Sequence, residues 1–222
     1  MSDPDQHARA LAAEAAANND ATGWFERLYA EAEAGTAAVP WDSRVPHPLL
    51  VEWADAVELH GHGEPALVIG CGYGDDAEFA AARGFEVTAF DVSPSAIAGV
   101  RARFPGSAVH YVAADLFELP EAWRQAYQLV VEIFTVQALP VRLREAAVAA
   151  ICETVAPGGR LIVIQRWRPD GPVPEGPPWP LTRADIELFT ANGLTAEQVE
   201  MLPDADGVSA RWRAEFRRDA AR

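Results

Sequence analysis

Three consecutive short apolar runs in this chain end in residues able to bind a polar ligand. Ala66–Ile69 leads straight into Gly70-Cys71-Gly72-Tyr73-Gly74, Phe85–Phe90 ends at Asp91, and Val109–Ala113 ends just before Asp115. A strand, a glycine-rich turn and a helix in that order expose backbone N–H groups and a helix N-terminus at the carboxyl edge of a parallel sheet. A dinucleotide fingerprint needs glycine or alanine at its sixth position. Asp75 stands there, a carboxylate where a pyrophosphate would approach, which disfavours NAD and FAD. Asp91, 21 residues after Gly70, is spaced to accept both hydroxyls of a ribose, although it could instead only cap the helix starting at Ser93-Pro94. Asp115 is placed to reach an adenine amino group. Ribose and adenine contacts without a pyrophosphate site point to S-adenosylmethionine.

Other chemically able side chains have plainer readings beside the functional ones. Trp24 could be a core aromatic on an amphipathic helix or a cover for the ligand. Trp41, in a proline-rich loop between Pro40 and Asp42, better fits a functional role. His47 lies in the same loop and could be a general base or a surface histidine. Cys71 is expected to pack under the ligand rather than attack anything. His60 and His62 have no third ligand nearby, so a solvated turn is expected there and no metal. Arg166 and Arg168 follow the fifth expected strand and could orient an acidic substrate or only solvate the loop.

The elements positioning these residues follow from periodicity. Helices are predicted over residues 3–19, from Thr22 to Gly35, and over Leu49–Leu59, Asp75–Arg83, Ser93–Arg103 and Val141–Val155. Thr182-Arg183-Ala184-Asp185 reads as an N-cap box for a further helix through Asn192, with Gly193 as its C′ residue. Strands are predicted at the three runs above and at Tyr127–Glu132, Arg160–Ile164, Thr195–Met201 and Ser209–Phe216. The turn Asp204-Ala205-Asp206-Gly207 makes the last two an antiparallel hairpin. Arg168–Pro180, rich in proline and glycine, is expected to be an ordered or gating loop. Alternation of strand and helix predicts an α/β fold, with a mostly parallel seven-stranded sheet, helices on both faces and an antiparallel last strand. Residues 1–60 form a helical N-terminal extension and 61–222 the ligand-binding domain, together one structural domain.

Composition narrows the function classes. The 222 residues carry 18 cationic side chains, all arginine, against 33 acids, a formal charge of −15. Without lysine there is no Schiff-base or P-loop lysine, and the negative field argues against a nucleic-acid partner. The acids are uneven: residues 1–60 hold 11 acids and 3 arginines, 61–140 hold 10 and 4, and 141–222 hold 12 and 11. Two cysteines, Cys71 and Cys152, do not make a disulfide framework and are expected reduced. With no signal-like start and no stretch of about 18 apolar residues, a cytoplasmic protein away from membranes is expected.

The combination of Gly70-Cys71-Gly72-Tyr73-Gly74, Asp91, Ala114-Asp115-Leu116 and Ala156-Pro157-Gly158-Gly159-Arg160-Leu161 resembles the class I S-adenosylmethionine-dependent methyltransferases, whose fold is Rossmann-like. Trp24-Phe25-Glu26-Arg27-Leu28-Tyr29, Pro40-Trp41-Asp42, Pro48-Leu49-Leu50 and Gly176-Pro177-Pro178-Trp179 are similar to motifs of the thiopurine S-methyltransferase family and its thiol and halide relatives. The resemblance implies cofactor contacts from Trp24, Trp41, Gly70, Cys71, Gly72, Gly74, Asp91, Val92, Asp115, Leu116 and Glu132. It implies an acceptor pocket at Ile133, Phe134, Val136, Arg166 and Trp179, with residues 1–60 as a lid. The thiopurine enzymes carry an arginine after the acid of the fourth strand; Ile133 stands there, leaving an apolar wall. A thiol acceptor needs no dedicated base, because a free thiol has a pKa of about 8.5. The expected function is S-methylation of a small-molecule thiol, the alternatives being N- or O-methylation of a small metabolite or cofactor binding without catalysis. A monomer is expected by resemblance.

Overall fold

The computed structural model describes residues 3–220. Its strands are β1 (Pro65–Ile69), β2 (Glu86–Asp91), β3 (His110–Ala113), β4 (Tyr127–Ile133), β5 (Val155–Arg166), β6 (Thr195–Pro203) and β7 (Ala210–Arg217). They form one sheet in the order β3-β2-β1-β4-β5-β7-β6. β1 to β5 pair in parallel, and β7 runs antiparallel to both β5 and β6. The order reverses between β1 and β4, and that reversal opens a crevice at their carboxyl ends.

Both faces of the central strands are apolar, as a sheet covered on both sides requires. Leu67, Ile69, Val130, Leu161 and Val163 join a core under α7 (Arg144–Thr154) and α8 (Arg183–Ala191). Ala66, Val68, Leu129, Val131, Ile162 and Ile164 face the other way, toward α3 (Pro48–Ala56), α4 (Asp75–Ala82) and α5 (Pro94–Arg103). A third core joins α1 (Pro4–Ala17) and α2 (Gly23–Glu33) through Ala8, Leu11, Trp24, Leu28 and Tyr29. It is docked on the sheet domain by Glu26, which accepts hydrogen bonds from Ser93 Oγ at 2.6 Å, Ser95 Oγ at 2.7 Å and Ser95 N at 3.0 Å. A carboxylate at the N-terminus of α5 also meets the positive end of the helix dipole.

The expected capping box is present, with Thr182 and Asp185 bonded reciprocally at the start of α8. Most boundaries shift by a few residues, and those around α7 and β5 change the reading of a segment. Residues 141–143 form a 3-10 turn before α7, which stops at Thr154. β5 starts at Val155, five residues before the expected Arg160. Val155 pairs with Tyr127 and Arg160 with Leu129, so Ala156-Pro157-Gly158-Gly159 is an irregularity inside the strand instead of a turn before it. A four-residue helix, α6 (Thr135–Ala138), follows β4 and has no counterpart in the periodicity.

Candidate functional site

A cavity of about 480 Å³ lies over the carboxyl ends of β1, β2 and β4. Its floor is the glycine turn. Gly70 and Gly72 both have positive φ, +59° and +51°, which side chains on Cβ resist. Space excludes a side chain as well: a Cβ on Gly70 would lie 2.4 Å from Thr135 Oγ1, and one on Gly72 2.8 Å from Tyr29 Oη. Cys71 lines the cavity. Its thiol is pushed well above the ordinary range by burial and by Asp91, so it is not a ready nucleophile.

Carboxylates line the cavity beside the glycine turn. Asp91 accepts Gly72 N and Ser93 N, one on each oxygen and both at 3.0 Å. Each oxygen keeps a lone pair, the acceptor set that two donating ribose hydroxyls require. The expected cap at Ser93-Pro94 is made by Ser93 itself, whose Oγ accepts Ala96 N. Burial pushes the Asp91 carboxyl up to about 6, against the hydrogen bonds it accepts. Asp115 holds Phe117 N with Oδ1. Asp76, which sequence reasoning missed, accepts His47 N at 2.7 Å and is raised to about 6 by burial. Its signal was present in the Asp75-Asp76 pair, but only the fold shows which of the two meets His47 N. Asp75 pairs with Arg103 at 3.1 Å.

An aromatic group roofs the turn. Trp41 Nε1 donates to Tyr29 Oη at 2.8 Å, and the Trp41 ring stands edge-on to Trp24, Phe25 and Tyr29 with centroids 6.0–6.2 Å apart. The segment carrying Trp41 is tied at two further points, by Asp42 to Arg103 at 2.9 Å and by His47 N to Asp76. From the opposite side Pro177 and Pro178 reach the cavity wall, and Arg9 Nε donates to Pro177 O.

Beyond the glycine turn the cavity is lined by Ile133, Phe134, Ala138 and Leu139, with His47, Arg166 and Arg211. Phe134 is held at φ +64° as the N-cap of α6, a strained conformation for a bulky residue. The His47 ring stands edge-on to it, centroids 5.2 Å apart. His47 Nδ1 accepts Leu49 N at 3.2 Å and caps α3. Burial, with help from Arg211, depresses its pKa to about 4. A neutral ring with Nδ1 accepting carries its proton on Nε2. His47, read from the sequence as a general base or a surface histidine, is therefore a half-buried hydrogen-bond donor whose Nδ1 lone pair is already used.

Trp24, Trp41, Gly70, Cys71, Gly72, Gly74, Asp91, Val92, Asp115, Leu116, Ile133, Phe134 and Arg166 all line the cavity. Glu132, Val136 and Trp179 lie off its wall. Glu132 is sealed beneath α6, accepting Thr135 N, Val136 N and Gln165 Nε2, and burial raises it to about 7. An acid at a strand end reads alike whether it faces ligand or caps a helix. Val136 is fully buried in the core under α7. Trp179 instead anchors the proline loop, its N–H on Gln137 O and its carbonyl receiving Arg144. Arg168 is spent on the carbonyls of Pro169, Gly171 and Pro180.

Known proteins share this framework. Residues 66–159 match the family model described as a methyltransferase domain. A structure solved for the conversion of a disulfide bond into a thioacetal group during echinomycin biosynthesis superposes with a TM-score of 0.70, at 21% identity, over 88% of this chain and 93% of its own. The 1,6-didemethyltoxoflavin-N1-methyltransferase of Burkholderia thailandensis, solved with its substrate and S-adenosylhomocysteine, superposes with a TM-score of 0.65, at 18% identity, over 99% of this chain and 92% of its own. The chain has the class I methyltransferase fold. A carboxy-S-adenosyl-L-methionine synthase of Dichelobacter nodosus is 30% identical over 87 residues, 38% of this chain. The match spans about a third of that relative's length, 35%. In this methyltransferase fold the cavity occupies the crevice where the strand order reverses. Among the described residues no helix is long and apolar enough to cross a membrane.

Proposed function

We propose that the protein is an S-adenosylmethionine-dependent methyltransferase acting on a small-molecule thiol. The observation that carries the cofactor assignment is Asp91, a buried carboxylate in the cavity with one lone pair free on each oxygen. Asp115, Val92 and Leu116 border the same space and suit an adenine ring. S-Adenosylmethionine supplies an activated methyl group when bound there. The chain's own residues then bind, orient and exclude water. Residues 1–60 act as the lid, through Trp24, Trp41 and the three ties that hold the Trp41 segment.

The thiol reading is supported by the acceptor half. Its walls are apolar at Ile133, Ala138 and Leu139, His47 has no free lone pair, and Glu132 is sealed in the core. An acceptor that ionises near neutral pH unaided suits such a wall. A second reading, N- or O-methylation, is favoured by Asp76, a cavity carboxylate raised to about 6 that could take a proton from a less acidic acceptor. The same fold in an N1-methyltransferase is compatible with it.

The test joins titration calorimetry with S-adenosylhomocysteine to a product-release screen across thiols, amines and phenols. Cofactor binding with turnover of thiols supports the proposal. Turnover confined to amines or phenols, lost in Asp76→Asn, replaces it by the second reading. Binding without turnover of any acceptor leaves a non-catalytic cofactor-binding protein, and no binding removes the assignment altogether.

A further inference from the structure

Building on that acceptor reading, we propose that Arg166 and Arg211 form an anion subsite selecting acceptors that carry a carboxylate. The two arginines are direct cross-strand partners in the β5–β7 register, and both line the cavity. Like charges directly opposite each other destabilise a sheet, so the pair calls for a counter-charge.

Neighbouring arginines have one. Arg213, the next residue on that face of β7, meets Glu200 at 2.8 Å, and Arg160 meets Glu215 at 3.4 Å. Among the described residues the Arg166 side chain has neither an acid nor a hydrogen-bond partner. Arg211 has a single ion pair, with Asp204 at 3.1 Å, and its Nε is buried with no acceptor. A buried N–H without a partner is unfavourable, and a ligand oxygen that reaches it removes the penalty.

Direction and shape agree. The Arg211 guanidinium lies 5.6 Å from the centroid of Phe134, the ring that forms the acceptor wall. Asp5, Asp42, Asp75, Asp76, Asp91 and Asp115 line the cavity too, so the arginine pair is the place in it where an anionic group meets cations, Arg166 with no acid of its own and Arg211 with Asp204 alone. Two guanidinium forks suit a planar carboxylate, which accepts paired N–H bonds.

The experiment compares 4-mercaptobenzoate with its methyl ester, in wild type, Arg166→Gln and Arg211→Lys. Two readouts are taken: S-adenosylhomocysteine release, and calorimetric binding of each compound to protein saturated with S-adenosylhomocysteine. The wild type should prefer the acid, and each variant should lower the acid-to-ester ratio of kcat/KM about tenfold or more, the effect of losing a charge-assisted hydrogen bond. Arg211→Lys keeps a cation for Asp204, so the fold is preserved while the fork is lost. Equal use of acid and ester by the wild type, or a ratio unchanged in both variants, overturns the subsite while methyl transfer stands. Charge-selective binding that Arg166→Gln abolishes, without product release, supports the subsite while the methyltransferase reading fails.

Discussion

Two buried acids at strand ends, Asp91 and Glu132, show how differently one residue type is used. Asp91 faces the cavity with spare acceptor capacity, and its replacement is felt by ligand first. Asp91→Asn keeps the shape but exchanges one acceptor for a donor, and should weaken S-adenosylhomocysteine binding about 10- to 100-fold by calorimetry. Unchanged affinity would remove the ribose assignment. Glu132 faces the core, and its replacement is felt by the fold. Glu132→Ala strands the Thr135 and Val136 N–H groups and the Gln165 amide, so urea unfolding should show a loss of about 3–5 kcal/mol. A loss under about 1 kcal/mol would mean that water or a rearranged Gln165 replaces the carboxylate.

At the scale of elements, the segment between α2 and α3 is irregular yet fixed, and its fixings are side chains. Trp41→Phe keeps an aromatic ring and removes the N–H that reaches Tyr29. Hydrogen exchange over residues 39–47 should speed up, and S-adenosylhomocysteine affinity should fall about 3- to 10-fold. Exchange that speeds up with affinity intact would show the segment to be a structural strap and not part of the ligand site. This is also where the sequence stops being legible. Strands, crossover helices and the Thr182 box announce themselves by local periodicity and capping chemistry, and the glycine turn by its spacing. Three things depend on contacts between distant residues. Arg211 enters the cavity because β7 inserts beside β5. Asp76 meets His47 N while Asp75 meets Arg103, because of the phase of α4 against the Trp41 segment. Val136 falls into the core because Phe134 turns the chain at positive φ into α6, whose four residues are too few to show a helical period.

For the whole molecule, the −15 charge resolves into an uneven distribution with chemistry attached. Burial raises Asp76 and Asp91 to about 6 and Glu132 to about 7, while unfolded carboxyls titrate near 4. The folded protein thus holds protons that the unfolded chain releases between about pH 4 and 7, and stability falls as pH rises through that window. Urea midpoints of the free protein should decline from pH 5 to pH 8, at roughly 1–2 kcal/mol per group. Carboxylates held below their ordinary range by hydrogen bonds outweighing burial, Glu26 and Asp185, act in the opposite sense, and only at more acid pH. Ligand should reverse the slope at one group. Ribose hydroxyls donate to the ionised form of Asp91, so binding lowers its pKa and releases a proton. Affinity for S-adenosylhomocysteine should therefore rise about tenfold between pH 5 and pH 7.5, with proton release measurable by calorimetry in buffers of different ionisation enthalpy. In Asp91→Asn both the rise and the proton release should vanish while the decline in stability from Asp76 and Glu132 persists. A rise that survives the substitution would assign the titration to Asp76 instead.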